Sequence, residues 1–343
     1  MPSPDGRIDL RSDTVTVPTR EMRRAMALAS VGDDVFGEDP TINRLQERAA
    51  ELLGKDAGLY VPSGTMANQV ALRTLGRPGT IVVCADRAHV YRVEGASMAD
   101  AGLEPHLLPD GAGPFTPETV ETALRDRPEG APEVSLVTIE NTHAAANGRP
   151  WRVDQVRAVC DVACSHGLPV HCDGARIWNA SVALGLPAAD LAGPATTAMF
   201  CVSKGLGAPV GSVLCGPADV VAEAHSFRRR MGGAMRQAGI IAAAGLVALD
   251  TMIERLGDDH RRARRLADTL ADRFPGSVDP TTIETNMVFA AADRLPSGST
   301  ERLEAEGIRV LTLGNDVRFV THKDIDDRDM DRVVKVLDGL ATD

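Results

Sequence analysis

An apolar run, "AMFCV" (198–202), ends in Ser203-Lys204 and passes into the glycine-rich stretch "GLGAPVG" (205–211). Lysine is seldom placed in a protein interior, so an amine delivered by what reads as a core strand asks for a reason. Three other apolar runs end similarly. "TIVVCAD" (80–86) leads to Asp86 and His89, "VSLVTIEN" (134–141) to Glu140, Asn141 and His143, and "LPVHCDGAR" (168–176) to Asp173 and Arg176. Taken singly, each has a plain explanation, because polar loops follow strands as a rule. Asp173-Gly174 suits a turn, and Lys204 can reach solvent. Taken together, they describe an amine, an acid, imidazoles and a cation suited to carboxylates.

Upstream, Ser63-Gly64-Thr65 stands just before the helical pattern of "YVPSGTMANQVALRTL" (60–75). A helix N-terminus offers unpaired N–H groups and a positive dipole end, and a glycine there admits a close phosphate. The same tripeptide is also an ordinary N-cap. It is not a nucleotide P-loop, which needs Gly-Lys-Ser/Thr closing a longer loop. Pyridoxal phosphate with an amino acid substrate fits a phosphate cradle, an aspartate, an amine and an arginine. The lysine condenses with the aldehyde as a Schiff base. The aspartate keeps the ring nitrogen protonated so that the ring acts as an electron sink, and arginine clamps a carboxylate.

The elements that must carry these residues follow from hydrophobic patterning. The apolar runs at 80–86, 134–141, 168–176, 198–204 and 211–216 alternate with helix-like stretches such as "TPETVETALRD" (116–126) and "VDQVRAVCDVACSHG" (153–167). Continuous apolar strands alternating with helices indicate a buried, mostly parallel sheet. Ligands of such sheets bind outside the carboxyl ends of the strands. From about 217 to 273 the pattern predicts a long helical region. Beyond "FPGSVDP" (274–280) it predicts a small α+β unit, with strands in "TNMVFAAA" and "VRFVTH" and helices in "TERLEAEG" and "DIDDRDMDRVVKVLDGL". The expected division is a large α/β unit with an N-terminal arm, 1–255, and a small C-terminal α+β unit, 256–343.

Composition narrows the function classes. The 343 residues carry a net charge of −11, which argues against nucleic acid as a partner. The basic runs "FRRRM" (227–231) and "HRRARR" (260–265) read as solvated helix faces or subunit contacts. No apolar run approaches the roughly 20 residues that span a bilayer. The polar start "MPSPDGRIDLRSDTVT" lacks a signal-peptide core, so a cytoplasmic protein is expected. The six cysteines include no second pair at zinc-like spacing, and no metal site is expected.

Over nearly its whole length the chain closely resembles the low-specificity L-threonine aldolases, fold-type I pyridoxal-phosphate enzymes. The resemblance is carried by "IDLRSDTVTVPT" (8–19), "GDDVFGEDPTINRLQE" (32–47), "PSGTMANQ" (62–69), "ENTH" (140–143), "HCDGARIWNAS" (171–181), "MFCVSKGLGAPVGSV" (199–213), "GGAMRQAGIIAAAG" (232–245) and "VRFVTHKD" (317–324). It implies pyridoxal 5'-phosphate bound covalently to Lys204 and Asp173 as partner of the pyridine nitrogen. It implies His89 stacked on the ring and handling protons, and Gly64 and Thr65, with Ser63 beside them, at the phosphate. Ser12, Arg176 and Arg318 would hold the substrate carboxylate, and His143 would lie near the substrate hydroxyl. Arg236 falls in a motif placed near the cofactor, in some arrangements from a neighbouring subunit.

The implied reaction is retro-aldol cleavage of L-threonine, L-allo-threonine or a related β-hydroxy-α-amino acid to glycine and an aldehyde, by a homotetramer arranged as a dimer of dimers. The base that takes the hydroxyl proton is open among His89, His143 and a bound water. A β-eliminating lyase or a transaldolase on the same scaffold is the alternative. Two segments depart from the family pattern, "AAANGRPW" (144–151) and "VYRVEGASMA" (90–99). Both flank the expected aldehyde side, and Arg92 in the second reads as solvent-facing or paired with Glu94.

Overall fold

The protein is described by a computed structural model covering residues 6–111 and 113–340. The outermost residues of the two expected units, 1–5 and 341–343, lie outside the described residues. In chain order the strands are β1 (Ile8–Asp9), β2 (Ala57–Val61), β3 (Thr80–Ala85), β4 (Leu103–Leu108), β5 (Val134–Glu140), β6 (Val170–Asp173), β7 (Thr197–Cys201), β8 (Ser212–Gly216), β9 (Met287–Ala291), β10 (Ile308–Arg309), β11 (Leu311–Leu313) and β12 (Asp316–Val320).

A seven-stranded sheet runs in the order β2-β8-β7-β6-β5-β3-β4. Within it β8 is antiparallel to β2 and β7, and every other pair is parallel. The central strands β6, β7 and β8 are buried at every position, in keeping with their largely apolar sequences once helices cover both faces. Because β3, β5, β6 and β7 are parallel, Ala85, Glu140, Asp173 and Cys201 all close on one edge of the sheet. The expected parallel sheet is therefore present, with two strands that the patterning did not single out. β4, "LEPHLL", is an edge strand with Glu104 and Pro105 exposed. Proline lacks the ladder N–H and is tolerated at an edge, where the apolar signal is also weakest. β2 is short, but Leu59, Tyr60 and Val61 are fully buried.

The region 217–273 is three helices, Ala218–Arg230, Gly239–Thr251 and Leu256–Arg273, where a single long helical region was expected. The first break falls at Gly232, with φ of +76°, and Gly233, where any Cβ would collide with Met66. Close packing against the neighbouring helix sets that turn, and local periodicity does not register it.

Leu256 packs into the main core, whereas Ala263, Leu266 and Leu270 of the same helix pack into a second one. That second core holds the antiparallel sheet β11-β12-β9 and the helix Asp327–Leu340. It also takes in Ile8 and Leu10, because β1 pairs in parallel with β10 through Ile8 and Ile308.

The run 260–265 is matched by acids: Arg262 with Asp327 at 2.8 Å, Arg265 with Asp331 at 2.6 Å and Arg264 with Asp268 at 3.1 Å. Such exposed pairs contribute little stability. In the other run Arg228 is buried, paired with Asp34 at 2.8 Å. Among the described residues no helix is long and apolar enough to cross a membrane. The six cysteines are all free.

Candidate active site

Asp173, the last residue of β6, is buried, and both its oxygens are engaged. The Ala175 N–H donates to Oδ1 at 3.0 Å and the Asn68 amide donates to Oδ2 at 2.8 Å. Burial alone would raise its pKa. The charges of His89 and Lys204, with these two hydrogen bonds, overcome that and hold the carboxyl below its ordinary value. His89 opens a short helix, His89–Arg92, after β3. Its N–H donates to Glu140 Oε2 at 2.7 Å, and its Nδ1 pairs with Glu94 Oε1 at 2.8 Å. The hydrogen bond to Glu94 raises the imidazole pKa, and the Asp173 charge reinforces the shift against the opposing effect of burial. Glu94 is buried and also accepts from Asn68 at 3.2 Å and Gln69 at 3.0 Å. Arg92 is exposed.

Lys204 is half-buried in the loop after β7. Its carbonyl accepts from Thr16 Oγ1 at 2.8 Å and from the Gly207 N–H at 2.9 Å. Gly207 has φ of +80°, and a Cβ there would lie 2.9 Å from Lys323 Cδ. The positive φ favours glycine, while the lysine tip could move aside, and this accounts for part of the glycine-rich sequence beside Lys204. The Lys204 charge acts on Asp173, Asp13 and His89 together. The helix Gly64–Leu75 points its N-terminus at the same edge. Ser63 caps it by accepting from the Met66 N–H at 3.1 Å, and Thr65 is exposed. A Cβ on Gly64 would lie 2.8 Å from Cys201 Sγ. Only glycine lets this helix end pack on the strand that precedes Lys204.

The arginines lie on the other side. Arg176 is buried in a two-pronged pair with Asp13, Nε to Oδ2 at 2.8 Å and Nη2 to Oδ1 at 2.6 Å. Burial works against the Asp13 carboxylate, but Arg176 and then Lys204 and His322 prevail and take it down to about 2. Arg318, on β12, donates from Nη2 to the Arg11 carbonyl at 2.8 Å, while its buried Nε has no partner. Burial and the neighbouring Arg176 lower its pKa, and Asp13 partly offsets them. The Ser12 Oγ accepts from the Thr14 N–H at 3.2 Å and from Thr14 Oγ1 at 2.9 Å.

His143 sits at the end of β5, buried between carboxylates. Its Nε2 pairs with Asp110 Oδ2, and its Nδ1 lies 3.8 Å from Glu140 Oε1. Burial lowers its pKa, and these two acids more than reverse that. Arg87 also grips Asp110, through Nε at 2.7 Å. Arg236 is 62% exposed and turns to Asp33 at 3.1 Å. Lys204, Asp173, His89, Gly64, Arg176 and Arg318 thus form one neighbourhood, His143 lies beside it in a pocket of its own carboxylates, and Arg236 stands outside.

Four participants carried no assigned role in the sequence: Asn68, His171, Asp13 and Asp110. Asn68 and Gln69 did leave a signal. They are two polar residues on the buried stretch Ala67–Leu72 of an otherwise apolar helix face, where an amide needs partners.

Residues 9–293 match the profile of the β-eliminating lyase family. Low-specificity L-threonine aldolase 1 of Arabidopsis thaliana is 40% identical over 335 residues, covering 94% of this chain and 93% of that protein. The low specificity L-threonine aldolase of Escherichia coli K12 is 38% identical over 322 residues, covering 93% and 94%. Among solved structures, the threonine aldolase of Leishmania major superposes with a TM-score of 0.85 at 20% identity, covering 97% of this chain and 99% of that one. At that identity the likeness speaks for the fold, and it bears out the fold-type I architecture implied by the sequence resemblance. Identity near 40% across almost the full length speaks for the family: this chain belongs to the low-specificity L-threonine aldolases, a group of lyases within the β-eliminating lyase family.

Proposed function

We propose that the protein cleaves L-threonine, L-allo-threonine and related β-hydroxy-α-amino acids to glycine and an aldehyde, with pyridoxal 5'-phosphate bound covalently through Lys204. The observation that carries this reading is the half-buried Arg318 guanidinium beside Arg176, whose buried Nε has no partner, in a site that also holds an amine and an ionised acid. Enzymes of the family depend on pyridoxal phosphate, and the residues present fit it. Gly64 lets the helix end pack directly on Cys201, where a Cβ would collide, so that the first N–H groups, which have no acceptor within the helix, stand beside the strand that leads to Lys204. Asp173 is kept ionised, and each of its oxygens retains a lone pair after its single hydrogen bond.

The bound cofactor supplies a conjugated ring that takes up the electron pair released at the substrate Cα. Asp173 holds the proton on the ring nitrogen, Lys204 provides the amine, and Ser63, Gly64 and Thr65 bind the phosphate. Arg318, Arg176 and Ser12 hold the substrate carboxylate, which decides the bond at Cα presented for cleavage. The geometry supports His89 over His143 as the group that takes the β-hydroxyl proton. Glu94 is acceptor-only, so His89 Nδ1 carries its hydrogen toward Glu94 and Nε2 is left as the basic atom. Both ring nitrogens of His143 face carboxylates instead.

Supplying L-threonine, L-allo-threonine and phenylserine, and quantifying glycine and aldehyde, tests the reading. A 2-oxo acid with ammonia would replace it by β-elimination. Glycine appearing only when a second aldehyde is added would replace it by transaldolase chemistry. Lys204→Ala should lose the borohydride-trappable cofactor adduct, and survival of that adduct would refute the lysine assignment.

The same reading includes a homotetramer, a dimer of dimers, located in the cytoplasm. Its support is the exposure of Leu28 (72%), Val31 (42%), Phe36 (72%) and Ile240 (48%), which lie close to Asp33 or Arg236 along the chain, where Arg236 would serve a neighbouring subunit. A fully active monomer in sedimentation would overturn the assembly. Six free cysteines accord with a reducing compartment. A division near 255/256 belongs to this reading too; the change of core along the helix Leu256–Arg273, between Leu256 and Ala263, supports a boundary at the start of that helix.

A further inference from the structure

We propose that Asn68 is a positioning residue for catalysis: a single buried amide holds both the carboxylate that faces the cofactor ring, Asp173, and the carboxylate that holds the proton-handling imidazole, Glu94. This rests on the role given above to Asp173.

The hydrogen bonds allow one arrangement. Asn68 is 1% exposed, and its Nδ2 donates to Asp173 Oδ2 at 2.8 Å and to Glu94 Oε1 at 3.2 Å. Its Oδ1 faces His171 Nε2 at 3.1 Å, and His171 Nδ1 faces Thr197 Oγ1 at 2.9 Å. His171 is fully buried, and burial lowers its pKa to about 4, so it is neutral in the working range and carries one ring hydrogen. With that hydrogen on Nε2, His171 donates to Asn68 Oδ1 and accepts from the Thr197 hydroxyl. The two carboxylates thus orient the amide, the amide oxygen fixes the hydrogen of His171 on Nε2, and the Thr197 hydroxyl, able to donate or accept, follows. A flipped amide would turn its oxygen toward two carboxylates and its NH₂ toward an N–H.

Two acids therefore share one neutral group that donates to both. Without it, Asp173 would lose one of the two hydrogen bonds that favour its charged form against burial. His89 and Gln69 donate to Glu94, and the Ala175 N–H donates to Asp173, but Asn68 donates to both acids. The chain Thr197–His171–Asn68 runs from the sheet to both faces of the chemistry, yet none of the three residues is needed to touch cofactor or substrate.

The test uses the purified holoenzyme and its apoprotein reconstituted with pyridoxal phosphate. In Asn68→Ala, one lost charge-assisted hydrogen bond to Asp173 should weaken cofactor binding about 10- to 100-fold. The pH dependence of the bound cofactor's visible band should shift, and kcat should fall more than KM rises. His171→Leu, which frees the amide to turn, should move the band in the same direction. His171→Gln, which keeps a donor at the position of Nε2, should restore it. A merely structural role would change the melting temperature without this spectral pattern.

Wild-type cofactor affinity and band titration in folded Asn68→Ala would overturn the proposal. If Asn68→Ala does not fold, the two His171 variants decide: a band indifferent to Leu, or altered equally by Leu and Gln, overturns it. Asp173→Asn separates the two layers of the argument. A band unmoved by Asp173→Asn sinks the Asp173 assignment itself. A band moved by Asp173→Asn but not by Asn68→Ala or His171→Leu sinks only the role of Asn68.

Discussion

The acid side and the arginine side of the site are built on opposite principles. Around Asp173 the polar side chains already have partners within the protein: Asp173, Asn68, Glu94, His89 and His171 are hydrogen-bonded in one connected network. Around Arg318, two guanidiniums lie near one carboxylate, Asp13, which pairs with Arg176 alone, and the buried Arg318 Nε–H is left without an acceptor. An unsatisfied buried donor costs about 1–3 kcal/mol, and the excess positive charge is that of one carboxylate. A group that stays bound through many turnovers is met by a finished surface. A group that comes and goes is met by one whose last partner it brings with it.

Asp13→Asn is the strongest way to break this contrast. It removes the counter-charge of two neighbouring arginines while keeping the shape, and a broken buried pair costs about 3–5 kcal/mol. The loss should appear as a large fall in the urea midpoint. The acidic range offers an independent check. The Asp13 pKa is depressed to about 2 from 3.8, so its stabilisation is present above pH 3.8 and is lost as the pH falls toward about 2. The variant should lack that dependence. Stability within about 0.5 kcal/mol of wild type would contradict the pairing.

Arg318→Ala comes next in size. KM for threonine should rise on the order of 10²-fold with cofactor affinity unchanged. A parallel loss of cofactor affinity would mean that the two sides are not separate.

The smallest effect is expected from Glu94→Gln. The Glu94 hydrogen bond raises the His89 pKa, and the reaction needs the unprotonated ring. In wild type, kcat/KM should therefore fall with decreasing pH along a limb lying above 6.5. Removing the carboxylate should move that limb to lower pH, toward the ordinary value. An unmoved limb would take His89 out of the proton transfer.

What could be read from the sequence follows the range of the forces involved. β5, β6, β7 and β8 were legible because burial on both faces makes their sequences mostly apolar, and Lys204 and Asp173 stood out as the charged residues ending such runs. β4 was not, since an edge strand with Pro105 carries no such pattern. The break at Gly232–Gly233 depends on Met66, far away in the chain. The supporting residues were silent for the same reason. Asn68 meets Asp173 across 105 positions, and Asp13 meets Arg176 across 163. No local spacing announces such pairs.

The pairing of Ile8 with Ile308 sets an order of assembly. On the ribosome, Gly64, Asp173 and Lys204 emerge well before residue 308. The first strand has no edge to join until then, and Arg318, which donates to the Arg11 carbonyl just after that strand, emerges later still. A newly made chain can therefore meet its cofactor before it can grip a substrate.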